Sequence, residues 1–327
     1  MKIKVDELKK LTKKIILGYG YVDSEAVIIQ DVLLYAQLRG NNQGVVKLIG
    51  KGIPKREKAA TPKIVKETPV SALFDGNETH AMVVMNLVTE TAIDKAKKSG
   101  IGIIGNFNTT ESTGALGYYA NKVAKEGLIG IVYASAPFQT TAPYGSTEAR
   151  FCTNPVAYGI PTENDPIILD MTTSAMAYYG LIQAKTAGKT VPDGTGYDKD
   201  GKPTQDPAEI MSGALKTFGG HRGSGLALIG QIFAGALVQA ESFNSDSDNA
   251  GNLVMAINPE ILTSKEAFAK EVSSIIKRVK AARKAEGVTE ILIPGERGNS
   301  FNTEVMASGE IEVEDNLYRE LEKVANK

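Results

Sequence analysis

The first forty residues carry apolar side chains at helical spacing. Leu8, Leu11 and Ile15 share one face, and Val27, Ile28, Val32 and Leu33 share another after Asp23-Ser24, a helix-cap signature. Two amphipathic helices are therefore predicted, forming a helical lobe. Beyond a Lys-rich stretch from Lys51 to Lys66 the pattern changes to apolar runs of strand length that alternate with helices. A helix over His80–Lys98, stopped by Gly100, precedes a strand over Ile101–Phe107 that is apolar enough to be buried on both faces. Helix Leu116–Lys125 leads into strand Ile129–Ser135, and Val156–Ile160, Ile167–Met171, Leu253–Ile257 and Glu290–Ile293 supply further strands. Helices are expected at Ser174–Lys185, Leu226–Ala240, Lys265–Glu286 and Glu314–Asn326, the last with a stripe of Leu317, Leu321 and Val324. The alternation predicts an α/β layered domain.

With 327 residues, 42% of them hydrophobic and 23% charged, the chain can bury a sizeable core, and its length favours two lobes. The boundary falls near residue 70: residues 1–70 form the helical lobe, joined by the C-terminal helix 314–327, and residues 71–313 form the sheet-containing domain. The 37 basic and 38 acidic side chains nearly cancel, so no general field favours nucleic acid or an anionic membrane, and a small-molecule partner is expected. The Lys51–Lys66 stretch lacks interleaved aromatics and reads as a solvated linker.

The single cysteine, Cys152, excludes an intramolecular disulfide and a Cys-based zinc cluster. Met1–Lys10 lacks the apolar core of a secretion signal, and together these predict a cytoplasmic protein. Gly223–Ala240 is barely long enough to span a bilayer and holds Gln231, Gln239 and four glycines, so it reads as a buried helix.

Two glycine-rich segments bear on chemistry. Gly100–Gly105 matches G-x-G-x-x-G, but a dinucleotide fingerprint follows a strand and opens a helix, whereas here the helix comes first. The glycines belong inside a strand. Gly219–Gly225 sits ahead of an apolar helix, where free backbone N–H groups, Arg222 and His221 suit an anion; a flexible helix entry explains it equally well. Two isolated histidines do not make a metal enzyme, and no G-x-S-x-G elbow supports a hydrolase.

Several segments, taken in order, resemble the malate/L-lactate dehydrogenase-like family: Arg39-Gly40 with Gly44, Asn106–Tyr119, Ala142–Gly145, Thr153–Pro155, Leu169–Ser174 and Gly219–Gly225. The resemblance spans nearly the whole chain and is closest to 2,3-diketo-L-gulonate reductase. It implies a non-Rossmann fold, a helical lobe beside a mixed-sheet domain that binds NAD or NADP in an extended cleft, usually in a homodimer. The implied cofactor contacts are Ile168, Leu169, Asp170, Met171, Thr172, Thr173 and Ser174, then His221 and Arg222, then Gly295, Glu296 and Arg297. Arg222 stands where the family usually has lysine. Thr140, Thr141 and Tyr144 are implied to line the substrate pocket, although Ser/Thr hydrogen bonding within a loop accounts for them as well.

The sequence departs from the family at its acid/base. The usual histidine of a Ser-His-Gly segment is matched by Gln43 within Asn42-Gln43-Gly44, and an amide exchanges no proton near neutral pH. The arginine that usually follows is matched by Lys47, which keeps a charge for a substrate carboxylate without the bidentate fork, and a second histidine is matched by Thr109. His80 reads as a helix start. Three routes stay open. Lys47, Tyr119 or His221 takes over proton transfer between a 2-hydroxy and a 2-oxo acid; or the substrate is a cyclic imine acid that Gln43 merely orients; or the chain binds cofactor or metabolite without turnover.

Overall fold

The computed structural model describes every residue except Asn42, Glu111, Asn244, Ser245, Asp246, Asp248 and Lys327. Asn42 of the predicted catalytic segment and Lys327 of the predicted C-terminal helix therefore lie outside the described residues.

In chain order, β1 (Lys2–Lys4) leads to α1 (Val5–Gly18), α2 (Asp23–Gln37), a 3-10 turn at Val45–Leu48, β2 (Lys63–Glu67), β3 (Ser71–Asp75), α3 (Ala81–Ser99), β4 (Ile101–Thr109), α4 (Leu116–Lys125) and β5 (Ile129–Ser135). There follow β6 (Val156–Ile160), β7 (Ile167–Met171), α5 (Tyr178–Thr186), β8 (Gly196–Tyr197), β9 (Pro203–Thr204), α6 (Pro207–Ser212) and β10 (Ala214–Leu215). The chain ends with α7 (His221–Ala234), β11 (Ala250–Ile257), α8 (Lys265–Lys280), α9 (Glu296–Ser308), β12 (Glu310–Glu312) and α10 (Asp315–Ala325).

Seven strands form one mixed sheet in the order β2-β3-β4-β11-β5-β6-β7. Its one parallel pair is β3 with β4, joined through α3; the other neighbours run antiparallel. The α/β layered class and mixed sheet expected from the sequence are what the chain forms. On one face Ile104, Val132 and Val254 pack with Val88, Ala92 and Ala120 of α3 and α4, in a core that continues into α1, α2 and α10. On the other, Tyr133, Val156 and Leu253 meet Ala234 and Val238. β4 is therefore covered on both sides, which explains its apolar run. Gly100 ends α3 in the left-handed region at φ 83°, and the Cβ that Gly102 lacks would overlap the Ala92 carbonyl. These glycines serve a helix stop and close helix-strand packing.

Several expected boundaries move for physical reasons. The buried face of α2 is Ala26, Ile29 and Leu33, with Val27 exposed, and the helix is capped by the Glu25 carboxylate accepting the Val22 N–H at 3.1 Å instead of by Asp23-Ser24. α5 starts at Tyr178, four residues late, because the Thr172 hydroxyl donates to the distant Thr153 carbonyl and the Ser174 hydroxyl to the nearby Met176 carbonyl, holding the chain out of the helix. α7 begins at His221, so Gly223 and Gly225 lie inside the helix, which stops at Ala234. α8 ends at Lys280, before Glu286. Glu290–Ile293 is not a strand: Pro294 follows, and the Ile293 N–H goes to the Glu296 carboxylate at 2.8 Å. No described helix is long and apolar enough to cross a membrane.

Candidate functional site

A cleft of about 560 Å³ opens where α2's C-terminal turn, the start of α4, β7 with the loop after it, and the start of α9 converge. A single backbone bond organises its far wall: the Ile168 N–H donates to the Pro294 carbonyl at 3.1 Å, which lays Gly295–Asn299 beside β7. Gly295 there has φ 98°, and a Cβ would press on the Ile168 backbone. Only glycine suits that turn.

Gln43 lines the cleft, its backbone N–H received by the Asn41 side chain at 2.9 Å. The turn that presents it depends on Gly44, where a Cβ would overlap the Gln37 side chain whose Oε1 accepts the Val45 N–H. Arg39 and Arg297 bring two guanidinium groups to the same cleft. Arg39 is stacked 3.9 Å from the Tyr35 ring, and its buried Nε has no partner. Of the segments expected to hold a cofactor, Ile168, Asp170, Met171, Thr172, Ser174, Gly295 and Arg297 line this space. Asp170 Oδ2 accepts the Gly117 N–H at 2.8 Å, and burial pushes its carboxyl up to about 6 against that hydrogen bond.

The other expected positions fall elsewhere. Leu169 points to the opposite face of β7, and Thr173 is buried with its hydroxyl on the Thr153 carbonyl at 2.9 Å. Glu296 turns away to pair with Lys280 at 2.7 Å. His221 and Arg222 are exposed at the start of α7, where the His221 ring meets Tyr144 at 6.0 Å. Tyr144 is 67% exposed with its N–H on Ser224 Oγ, Thr141 is fully buried, and Thr140 holds backbone bonds to Phe151 and Leu215. The expected substrate trio therefore does not line the cleft.

Tyr119 is fully buried and donates to the Thr113 carbonyl at 2.8 Å, and burial raises its pKa well above the ordinary value. Its proton is given to a backbone carbonyl and Tyr119 is not among the residues that line the cleft, so the structure does not bring it together with Gln43. Lys47 is 1% exposed and is not among the residues that line the cleft; Arg39 and Arg297 are the cationic residues that do. Its Nζ lies 2.7 Å from Ser112 Oγ and 3.3 Å from the Tyr179 ring centroid, and burial lowers its pKa well below the usual value. His80 caps α3, its Nδ1 accepting the Met82 N–H at 3.1 Å; burial, and then the Lys47 charge, push it down to about 3. Thr109 is buried in β4 with its hydroxyl on the Ala250 carbonyl; Gly114 to Gly117 of that segment line the cleft, and Ser112 stands behind them, its Oγ accepting the Gly114 N–H at 3.2 Å. Arg39, Tyr35, Asn41 and Asn299 line the cleft without a local sequence pattern that marks them as site residues, and Ser112 adjoins it. A serine two residues ahead of Gly114, just before the N-cap of α4, is an ST-turn signal that points to Ser112.

The lining suits an elongated, anionic cofactor. Two arginines, the half-buried Gln43 and the glycine backbone at Gly114, Gly117 and Gly295 allow phosphate charge and close approach.

Comparison with known proteins places this geometry. The family model described as malate/L-lactate dehydrogenase matches residues 3–322. The L-sulfolactate dehydrogenase of Methanocaldococcus jannaschii is 32% identical, covering 100% of this chain and 97% of the relative. A solved structure of sulfolactate dehydrogenase from that organism superposes with a TM-score of 0.81, covering 100% of this chain and 97% of that one. The ureidoglycolate dehydrogenase (NAD(+)) of Escherichia coli O157:H7 is 28% identical over 98% of this chain and 95% of its own. A Delta(1)-pyrroline-2-carboxylate/Delta(1)-piperideine-2-carboxylate reductase of Pseudomonas putida is 29% identical over 91% and 89%.

Proposed function

This chain belongs to the malate/L-lactate dehydrogenase family, and we propose that it transfers a hydride between NAD or NADP and a small 2-hydroxy or 2-oxo acid bound in the cleft beside Gln43. It is an oxidoreductase with a nicotinamide cofactor. When bound, that cofactor supplies or accepts the hydride; every other task falls to the chain. The observation that carries the substrate class is the pairing of two arginines with Gln43 in one cleft: Arg39 and Arg297 suit the phosphates and a substrate carboxylate, and Gln43 can hydrogen-bond a carbonyl or hydroxyl oxygen. Ile168–Ser174 and Gly295–Arg297, adjacent through the Ile168–Pro294 bond, form the wall against which the cofactor lies.

A second reading, reduction of a cyclic imine acid, is favoured by one feature. No acid stands at the Gln43 position, and an iminium carbon accepts hydride with its nitrogen already protonated. Loss of NADH or NADPH absorbance against parallel panels of 2-oxo acids and cyclic imine acids separates the two. Turnover with oxo acids supports the lead; turnover confined to imines replaces it with the second; cofactor binding with no turnover in either panel makes the chain a binding protein. We further place the chain in a homodimer joined through α7, whose Leu228, Ile229 and Ile232 are 43–48% exposed on a helix without a charged residue after Arg222.

A further inference from the structure

Lys47 presents an unusual combination: an amine sealed from solvent yet one hydroxyl away from the cleft wall. Its Nζ meets Ser112 Oγ at 2.7 Å, and the same oxygen receives the N–H of Gly114, which faces the cleft together with Gln43. When the lysine is protonated, both contacts place donors on Ser112 Oγ. The serine's own O–H is then left to donate to a third group.

We propose that Ser112 passes the substrate's proton, with Lys47 as the reservoir behind it; the inference rests on the oxidoreductase reading of the cleft. In reduction, hydride reaches the carbonyl carbon, the π pair moves to oxygen, and that oxygen takes the Ser112 hydroxyl proton. Ser112 Oγ in turn takes a proton from the Lys47 ammonium, leaving a neutral amine that is recharged after product leaves, when water entering the cleft protonates Ser112 and the serine passes its proton back to Lys47. Oxidation runs the same transfers backwards.

The surroundings of Lys47 fit a group that must change charge. Of the elements against the amine, α5 contributes the Tyr179 ring and the start of α3 contributes His80. His80 accepts at Nδ1, so its Nε2 carries the proton, and that buried Nε2 has no partner. It stays neutral. Burial lowers the Lys47 pKa well below the ordinary lysine value, in the direction a proton donor at that place requires.

The test compares wild type, Ser112→Ala, Ser112→Thr and Lys47→Met by kcat, NADH affinity and the pH profile of kcat, with Lys47 titrated directly by carbon-13 NMR of lysine-labelled protein. Ser112→Ala is expected to lower kcat by about 10²-fold with NADH affinity unchanged, and to abolish the pH limb that coincides with the Lys47 titration. Ser112→Thr, which keeps a hydroxyl, is expected to restore most of kcat. Full activity in Ser112→Ala, or a pH limb that does not match Lys47, overturns the relay. So does turnover confined to imines that is indifferent to Ser112. If nothing turns over, the reading of the cleft fails, and oxamate with NADH still decides the relay: it must shift the Lys47 titration in wild type and not in Ser112→Ala.

Discussion

Asp170 Oδ2 caps the start of α4 through the Gly117 N–H at 2.8 Å, joining the β7 wall of the cleft to the helix that forms its opposite side. A Cβ on Gly117 would stand only 3.0 Å from that same oxygen, so the contact depends on glycine as much as on the carboxylate. The helix N-terminus favours negative charge there, yet burial outweighs it and the carboxyl titrates near 6.

The first prediction concerns this carboxyl. As pH falls through about 6, Asp170 loses its charge and the cleft loses a negative group, so affinity for an anionic nicotinamide cofactor is expected to rise. Because the folded value lies above the unfolded 3.8, the same group costs stability progressively as pH rises between those two values. Asp170→Asn should flatten both trends. Calorimetric NADH titrations and thermal melts across that window check this, and a variant that keeps the wild-type pH dependence refutes it.

A second prediction sets stability against activity at Lys47. A buried lysine whose folded pKa lies below 10.5 binds fewer protons than the unfolded chain below that pH, so its contribution to stability grows as pH rises towards 10.5. At neutral pH it is a liability. Lys47→Met fills a similar volume without a charge and is expected to stabilise the fold by about 1 kcal/mol while abolishing oxo-acid turnover. A lower Tm in the variant would show instead that the ammonium's contact with the Tyr179 ring outweighs its burial.

How far the sequence was legible depends on what held each element. Leu116–Lys125, Ile129–Ser135, Val156–Ile160 and Ile167–Met171 were readable to the residue, the first from apolar side chains at helical spacing and the strands from short, largely apolar runs, two of them directly preceded by proline. The Glu290–Ile293 run has strand composition, but Glu296 and Lys280 hold it outside the sheet, an interaction with no local signature. The cleft's wall needed more than pattern. Nothing in either segment announces that Ile168 bonds to Pro294; the family resemblance alone brought the two together. Lys47 shows the limit from the other side: its charge was visible, while its enclosure by Ser112 and Tyr179, from segments far along the chain, was not.

The last prediction concerns α7. Leu228, Ile229 and Ile232 form an exposed apolar stripe at helical spacing, with Leu237 58% exposed beyond the helix. The opposite side of α7, with Ala227 and Ala234, is packed against the sheet layer, so the stripe contributes nothing to the monomer's own core. A second copy meeting it about a two-fold axis would place like stripe on like stripe, the self-complementary arrangement a dimer requires. Leu228→Glu with Ile232→Glu puts four carboxylates into that contact and is expected to yield folded monomers by sedimentation, with far-UV circular dichroism unchanged. A wild-type protein that sediments as a monomer, or a double variant that remains dimeric, removes α7 as the contact.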